Sequence, residues 1–247
     1  MTRLFLEHLE AGTGTVTLTE EDAHYISQVL RMRTGEELTL VLKDGVEALC
    51  EVSRIDRSEV VLSIKNTRIT QSEPPYRITL YQSVSKGERM ELTIQKCVEL
   101  GVTRIVPVFS SRCVVKPDEG KKQKSKTERW QKIALEAARQ SGRGIIPEVA
   151  EPLTFAKAVE AAGSADIVLF PWEEEKGVTL KQALSNFSAD GLKEIAVFIG
   201  PEGGYDEQEA VMAREKGAVT VTIGKRILRT ETAGAAVLSM LLYNFEL

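Results

Sequence analysis

The stretch IGPEGG (199–204) decides how the second half of this chain is interpreted. It follows the apolar run IAVFI (195–199) and precedes DEQEAVM (206–212), which has helical spacing. A strand, a glycine loop and a helix in this order are typical of a nucleotide-binding site. Pro201 and Glu202 would suit a phosphate poorly, however, so we expect this loop to hold a different part of a ligand.

The first 72 residues have a different pattern from the second half of the chain. Runs rich in β-branched residues and leucine indicate short strands at 38–42, 46–52 and 60–64, with turns at 43–45 and 56–58. One helix follows Thr19, which can cap it, and Asp22 stands at the capping-box position. The pattern predicts a small β-barrel domain with an added helix over residues 1–72.

The segment SEPPY (72–76) marks a change, because paired prolines favour a stiff, extended linker. From there to residue 247, strands alternate with helices, which predicts an α/β domain with a parallel sheet covered on both faces. Strands are predicted at 78–84, 104–109, 167–170, 195–199 and 219–223. Helices are predicted at 86–100, 127–141 with Thr127 as its cap, 153–162, 180–187, 206–216 with Asp206 and Glu209 as a cap pair, and 230–245.

Composition excludes several classes of protein. The 247 residues are 43% hydrophobic, enough for a sizeable core. No apolar run reaches the ~18–20 residues that span a bilayer, and the N-terminus lacks the apolar region of a signal peptide. Three scattered cysteines and two histidines have no metal-ligand spacing, so we expect no metal site and a cytoplasmic location.

The net charge of −4 hides a basic middle section. Residues 86–143 contain 14 Lys/Arg against 7 Asp/Glu, which indicates a surface for polyanions. The alternative is a solvated lysine loop at 116–126. Arg139 and Arg143 lie four residues apart, so on a helix they would share one face.

Three predicted strands end in unusual loops: FPWEEE (170–175), GPEGG (200–204) and GKRILRTETA (224–233). Ligands of parallel sheets bind outside the carboxyl ends of the strands, so neighbouring strands would bring these loops into one pocket. The loops lack both GxGxxG and GxxxxGK[ST]. Their glycines instead allow backbone groups to approach a flat base edge, between apolar walls.

An acidic, apolar pocket of this kind suits S-adenosylmethionine, which combines adenine with a cationic sulfonium. The alternative is that IGPEGG is a tight turn that only starts a helix. The residues expected to line the pocket are Phe170, Pro171, Trp172, Ile199, Gly200, Pro201, Glu202, Gly203, Gly204, Ile223, Gly224, Ile227, Leu228, Thr232 and Ala233. We also expect Gly203→Val to block cofactor binding by filling the adenine slot.

These loops, together with KGERMELTIQKCVELGV (86–102), resemble the RsmE family of SPOUT-class methyltransferases, which methylate N3 of one uridine in small-subunit (16S) ribosomal RNA. The stretch HYISQVLRMRTGEEL (24–38) resembles the PUA-like RNA-binding domain of the same family. The resemblance implies a trefoil-knotted C-terminal domain that binds the cofactor in the knot. It also implies a homodimer that acts on small-subunit rRNA or the 30S particle, without a membrane or a metal.

The resemblance suggests hypotheses for the roles of individual residues in methylation and in RNA binding. Methylation of N3 needs a base, or donors that stabilise the imide anion. Arg229 is the expected donor, with an ion pair to Glu231 or Glu202 as its alternative role. Glu202 and Glu231 are the carboxylates that could accept the proton, and the alternative role of Glu202 is to offset the charge of the sulfonium. The residues expected to contact RNA are Arg31, Arg33, Lys86, Arg112, Arg139 and Arg143.

Two other functions stay open at this point. A non-catalytic RNA-binding or ribosome-assembly protein would also explain a PUA-like domain and a basic surface. An NAD-dependent enzyme would require the glycine fingerprint and a ribose-binding acid, which this sequence lacks.

Overall fold

The computed structural model describes residues 2–6, 14–42, 45–117, 120–188 and 190–247. Part of the predicted turn at 43–45 and of the lysine loop at 116–126 lies outside the described residues. The chain forms two compact units, which divide between Glu73 and Pro74 in the proline-rich segment. The first unit also includes Ala138–Ile146, which the sequence did not predict.

The described residues of the first unit form a five-stranded sheet. Its strands are β1 (Thr2–Leu6), β2 (Thr15–Thr19), β3 (Glu37–Leu42), β4 (Val46–Ile55) and β5 (Glu59–Ile69). The order is β1-β3-β4-β5-β2, in which β1 runs parallel to β3 and the other pairs are antiparallel. Leu4, Leu38, Leu40 and Leu62 are fully buried in its core. The three predicted strands are confirmed, whereas β1 and β2 were missed because they are short.

The helix of this unit, α1 (Glu20–His24), begins after Thr19 and continues as a π-helical turn over Tyr25–Val29. Thr19 has the extended backbone of an N-cap, but its side chain makes no capping hydrogen bond, so the predicted capping box is wrong. Glu20 has a left-handed backbone with φ of +51°. Ile26 anchors the helix in the core.

The described residues of the second unit form seven strands, which all pair in parallel. They are β6 (Arg77–Ser83), β7 (Arg104–Phe109), β8 (Glu148–Val149), β9 (Leu153–Thr154), β10 (Ile167–Pro171), β11 (Glu194–Ile199) and β12 (Val219–Val221). The order is β12-β10-β11-β6-β7-β8, with β9 beside β7. The central strands are buried along nearly their whole length, as expected for a sheet covered on both faces.

Six further helices occur in the part of the chain that the structure describes: α2 (Arg89–Glu99), α3 (Lys121–Ser141), α4 (Phe155–Ala162), α5 (Leu180–Leu184), α6 (Glu207–Glu215) and α7 (Thr230–Phe245). The capping box of Asp206 and Glu209 is confirmed, and so are the limits of α7. The predicted cap at Thr127 is wrong, because α3 begins six residues earlier and the Thr127 hydroxyl donates to the Gln123 carbonyl. Among the described helices, none is both long and apolar enough to cross a bilayer.

Helices α2 and α7 approach each other closely at a glycine. A Cβ added to Gly234 would lie 3.2 Å from Sγ of Cys97 on α2, tighter than ordinary contact. The small residues at the start of α7 therefore allow close helix packing.

Candidate active site

The three unusual loops meet at one edge of the parallel sheet. They follow β10, β11 and β12, which are neighbours in the sheet and point the same way. Together they line a cleft of about 320 Å³, to which the loop after β10 contributes Pro171 and Trp172, the loop after β11 the glycine turn and the loop after β12 Ile223–Leu228. The convergence expected from the sequence is therefore present within the second unit.

Thirteen of the fifteen predicted lining residues lie on this cleft. The other two are Phe170, which is fully buried with its ring 4.4 Å from that of Tyr205, and Thr232, which is exposed on α7. The lining residues that sequence reasoning missed are Glu173, Tyr205, Thr222, Lys225, Arg226 and Thr230. Most are immediate neighbours of predicted residues, so whole loops would have been a better prediction than selected positions.

The glycine loop is a closed turn, in which the Gly204 amide donates to the Pro201 carbonyl at 2.9 Å. Gly204 has φ of +67°, a conformation that favours glycine. A Cβ on Gly200 would lie 3.3 Å from the ring of Tyr205, which packs beneath the loop. Backbone groups rather than side chains therefore form this part of the cleft.

Two arginines hold the glycine loop from outside. Nη1 of Arg89 binds the Glu202 carboxylate at 2.6 Å, and the Lys86 amide donates to the same oxygen at 3.2 Å. Nη1 of Arg112 donates to the Gly203 carbonyl at 3.0 Å. The β6–α2 connection and the segment after β7 thus fix the position of the loop.

The pairing with Arg89 changes the expected role of Glu202. Burial raises the pKa of Glu202, but hydrogen bonds from its own amide, the Arg89 guanidinium and the Lys86 amide outweigh burial and lower it. A carboxylate with a lowered pKa is a weak proton acceptor. Its partner is also Arg89 rather than Arg229, so that alternative for Arg229 does not hold.

The side chain of Gly203→Val was expected to fill the adenine slot, and the direction of a Cβ at this position shows that this reason is wrong. A Cβ on Gly203 would meet Cβ of Arg112 at 3.4 Å, so a side chain there points towards that arginine. A valine would first disturb the Arg112 contact that fixes the loop, instead of filling a slot for the ligand.

Thr230, the first residue of α7, connects separate segments around the cleft through hydrogen bonds. Its hydroxyl donates to the Gly200 carbonyl at 2.7 Å and accepts from Nε2 of Gln82, at the end of β6, at 2.9 Å. Only 4% of Thr230 is exposed. One side chain thereby links the ends of β6 and β11 to the helix that follows the third loop.

The third loop carries three exposed cations: Lys225, Arg226 and Arg229. Within the described chain, the Arg229 side chain makes no hydrogen bond or ion pair, and it does not line the cleft itself. Glu231 follows it on α7, and its Oε2 is buried without a hydrogen-bond partner among the described residues. Arg229 is thus free to reach a ligand, and Glu231 holds an unused acceptor.

The structure does not support Arg143 as an RNA contact. Only 3% of its side chain is exposed, and its Nη2 and Nε bind the Glu73 carboxylate at 2.6 and 3.0 Å. The helix also ends at Ser141, so Arg143 does not share a helical face with Arg139. The Arg139 guanidinium stacks over the Tyr25 ring at 4.4 Å. Both arginines therefore take part in the packing of the first unit.

The other candidate RNA contacts are exposed. They are Arg31, Arg33, Lys86 and Arg112. Arg31 has a left-handed backbone with φ of +54°, and the Arg33 amide donates to the Glu36 carboxylate. Exposure is consistent with contact to RNA, which stays a prediction for all four.

Family models and relatives match the chain along most of its length. An RNA methyltransferase domain matches residues 72–242, and an RNA methyltransferase PUA domain matches residues 18–65. Ribosomal RNA small subunit methyltransferase E of Bacillus subtilis (strain 168) is 37% identical over 240 residues, which cover 94% of this chain and 91% of the relative. The protein of the same name from Aquifex aeolicus (strain VF5) is 34% identical, covering 96% and 97%.

A solved structure agrees with these matches. Ribosomal RNA small subunit methyltransferase E from Neisseria gonorrhoeae, bound to S-adenosyl methionine, has a TM-score of 0.87 and 35% identity, covering 99% of this chain and 98% of that chain. The predicted fold class is confirmed as an α/β SPOUT methyltransferase domain with an N-terminal PUA domain. This chain belongs to the ribosomal RNA small subunit methyltransferase E family.

Proposed function

We propose that this protein transfers a methyl group from S-adenosylmethionine to N3 of a specific uridine in small-subunit (16S) ribosomal RNA. The observation that carries the proposal is the single cleft formed by three loops after adjacent parallel strands. Membership of the family supports the reaction, and the cofactor bound to the relative from Neisseria gonorrhoeae supports the methyl donor.

The cleft fits this cofactor in size and chemistry. Its volume of about 320 Å³ lies in the range of small-molecule sites, roughly 300–1,000 Å³. Gly200 and Gly203 line the cleft without side chains, which leaves space for a flat base, while Ile199, Ile223 and Leu228 provide apolar walls. When bound, the cofactor supplies an electrophilic methyl group on a sulfonium.

The chain must hold the uracil near the methyl group and make its N3 nucleophilic, because that nitrogen carries a proton at neutral pH. Arg229 lies at the start of α7, beside the cleft, and its guanidinium, which has no partner among the described residues, can donate to the uracil carbonyl oxygens. Such donors stabilise the negative charge that develops on the imide. Glu231 does not line the cleft itself, but it stays the candidate for the proton acceptor, since Glu202 is paired with Arg89.

RNA binding is assigned to exposed cations in both units. Arg31 and Arg33 supply them in the first unit, and Lys86 and Arg112 in the second. Lys225 and Arg226 add charge at the rim of the cleft. Contacts between such side chains and phosphates make affinity fall with salt concentration.

The finer parts of the proposal follow the family resemblance. They are a homodimer, a trefoil knot in the C-terminal part, a cytoplasmic location, and rRNA or the 30S particle as substrate. Gly234 supports close chain packing at α7, as a crowded crossing requires. A non-catalytic role in RNA binding would leave the cleft without a purpose.

The test is methylation of ribosomal RNA from a strain that lacks the corresponding enzyme, with labelled S-adenosylmethionine and mass mapping of the product. Naked RNA and 30S particles are compared as substrates. We expect label on N3 of one uridine, and a strong loss of label for Arg229→Ala. Retention of RNA without transfer of label would support the non-catalytic alternative instead.

A further inference from the structure

The cleft contains two carboxylates, and they are in different electrostatic states. The negative charge of Glu202 is compensated by Arg89, whose Nη1 lies 2.6 Å from Oε1 of the carboxylate. Glu173, in the loop after β10, makes no hydrogen bond or ion pair with the described part of the chain. Although Lys225 and Arg226 also line the cleft, neither forms an ion pair with Glu173. Its negative charge is therefore uncompensated by a direct partner.

Gly204 leaves room for this exposed carboxylate beside the glycine loop. The side-chain oxygens of Glu173 occupy the position that a Cβ on Gly204 would take, so any other residue at 204 would displace them. Gly204 thus serves two needs, a left-handed backbone and space for a neighbouring carboxylate. Glu173 itself is among the residues that line the cleft.

We propose that Glu173 is a specificity-determining residue that favours the positively charged methyl donor over the neutral product of transfer. This inference rests on the proposed function. S-adenosylmethionine carries a positive sulfonium, whereas S-adenosylhomocysteine carries a neutral thioether with nearly the same shape. A free carboxylate on the cleft wall attracts the positive sulfonium of S-adenosylmethionine. It has no comparable attraction to the neutral sulfur of S-adenosylhomocysteine. Product release is favoured for the same reason.

Calorimetry with three ligands tests this assignment. S-adenosylmethionine and sinefungin, which has an amine near the sulfonium position, carry the positive charge, and S-adenosylhomocysteine does not. For Glu173→Gln we expect affinity for the two charged ligands to fall by about tenfold, the scale of one partly screened charge pair. Affinity for S-adenosylhomocysteine should stay within about threefold of wild type on the same reasoning.

Glu174→Gln provides the matched control, because Glu174 is the next residue, carries the same charge, is exposed and does not line the cleft. It should leave all three affinities unchanged. Equal weakening of the three ligands by Glu173→Gln would overturn the inference, because the contact would then involve a part that they share. No weakening would overturn it as well. Wild-type protein that binds none of the ligands would instead refute the proposed function, and the inference with it.

Discussion

Replacing Thr230 by valine removes the hydroxyl that joins three parts of the cleft while keeping the shape of the side chain. In the wild-type protein this group donates to the Gly200 carbonyl and accepts from Nε2 of Gln82. Nε2 of Gln82 retains a second acceptor, the Ser83 carbonyl at 3.1 Å. The main loss in Thr230→Val is therefore the donor to Gly200.

The size of the effect follows from burial. Thr230 is 4% exposed, so water does not readily replace its hydroxyl. A buried polar group left without a partner costs about 1–3 kcal/mol, and we expect about 2 kcal/mol here. For a protein of this size, roughly 2–4 °C of Tm is lost per kcal/mol, which predicts a decrease of about 4–8 °C. Cofactor affinity should also fall, because Gly200 lines the cleft.

Thermal unfolding followed by circular dichroism measures the change in stability, and calorimetry measures cofactor affinity. Thr230→Ser keeps the hydroxyl and should lose less than half as much stability as the valine variant. Thr232→Val makes the same chemical change at an exposed position of the same helix and should be neutral. If Thr230→Val were as stable as Thr232→Val, the hydroxyl would not be the link between the loops.

Three further substitutions test the roles of Arg229, Glu202 and Arg143. Arg229→Ala should lower the methylation rate by about 10² or more, the scale of one charge-stabilising donor, with little change in cofactor affinity; full activity would remove Arg229 from the mechanism. Glu202→Gln should destabilise the protein at neutral pH through loss of the Arg89 contact. Because folding lowers the pKa of Glu202 from 4.5, this stabilisation is present above that value and is lost as pH falls through the folded pKa, so the Tm values of variant and wild type should converge in acid. A Tm difference independent of pH would contradict the ion pair. Arg143→Ala should cost about 3–5 kcal/mol by stranding Glu73, while the salt dependence of RNA binding stays unchanged; a smaller salt slope in a stable variant would restore Arg143 as an RNA contact.

Local patterns were sufficient to predict the part of the fold that positions the cleft. The helix at 230–245 and the capping box of Asp206 depend on residues close in sequence, and both have the expected form. The convergence of the loops followed from the rule for parallel strands, which needs only the alternation of strands and helices. Short strands such as β8 and β9 contain too few residues to show a period.

The sequence could not reveal which charged side chains form ion pairs, because the partners lie far apart in the chain. Glu173 and Glu202 are both loop carboxylates in the sequence, and only the approach of Arg89 from α2 distinguishes the paired one from the free one. Arg143 looked like an exposed cation because its partner, Glu73, lies 70 residues away. Such differences depend on the tertiary arrangement and leave no periodic signal.

Amide hydrogen exchange with and without S-adenosylmethionine shows which segments of the chain bind the ligand, and it needs no substitution. We expect the cofactor to slow exchange in three separate segments, 171–173, 200–204 and 223–228, while the sheet of the first unit is unaffected. Protection confined to one of these segments, or found elsewhere, would contradict a single methyl-donor cleft built from all three loops.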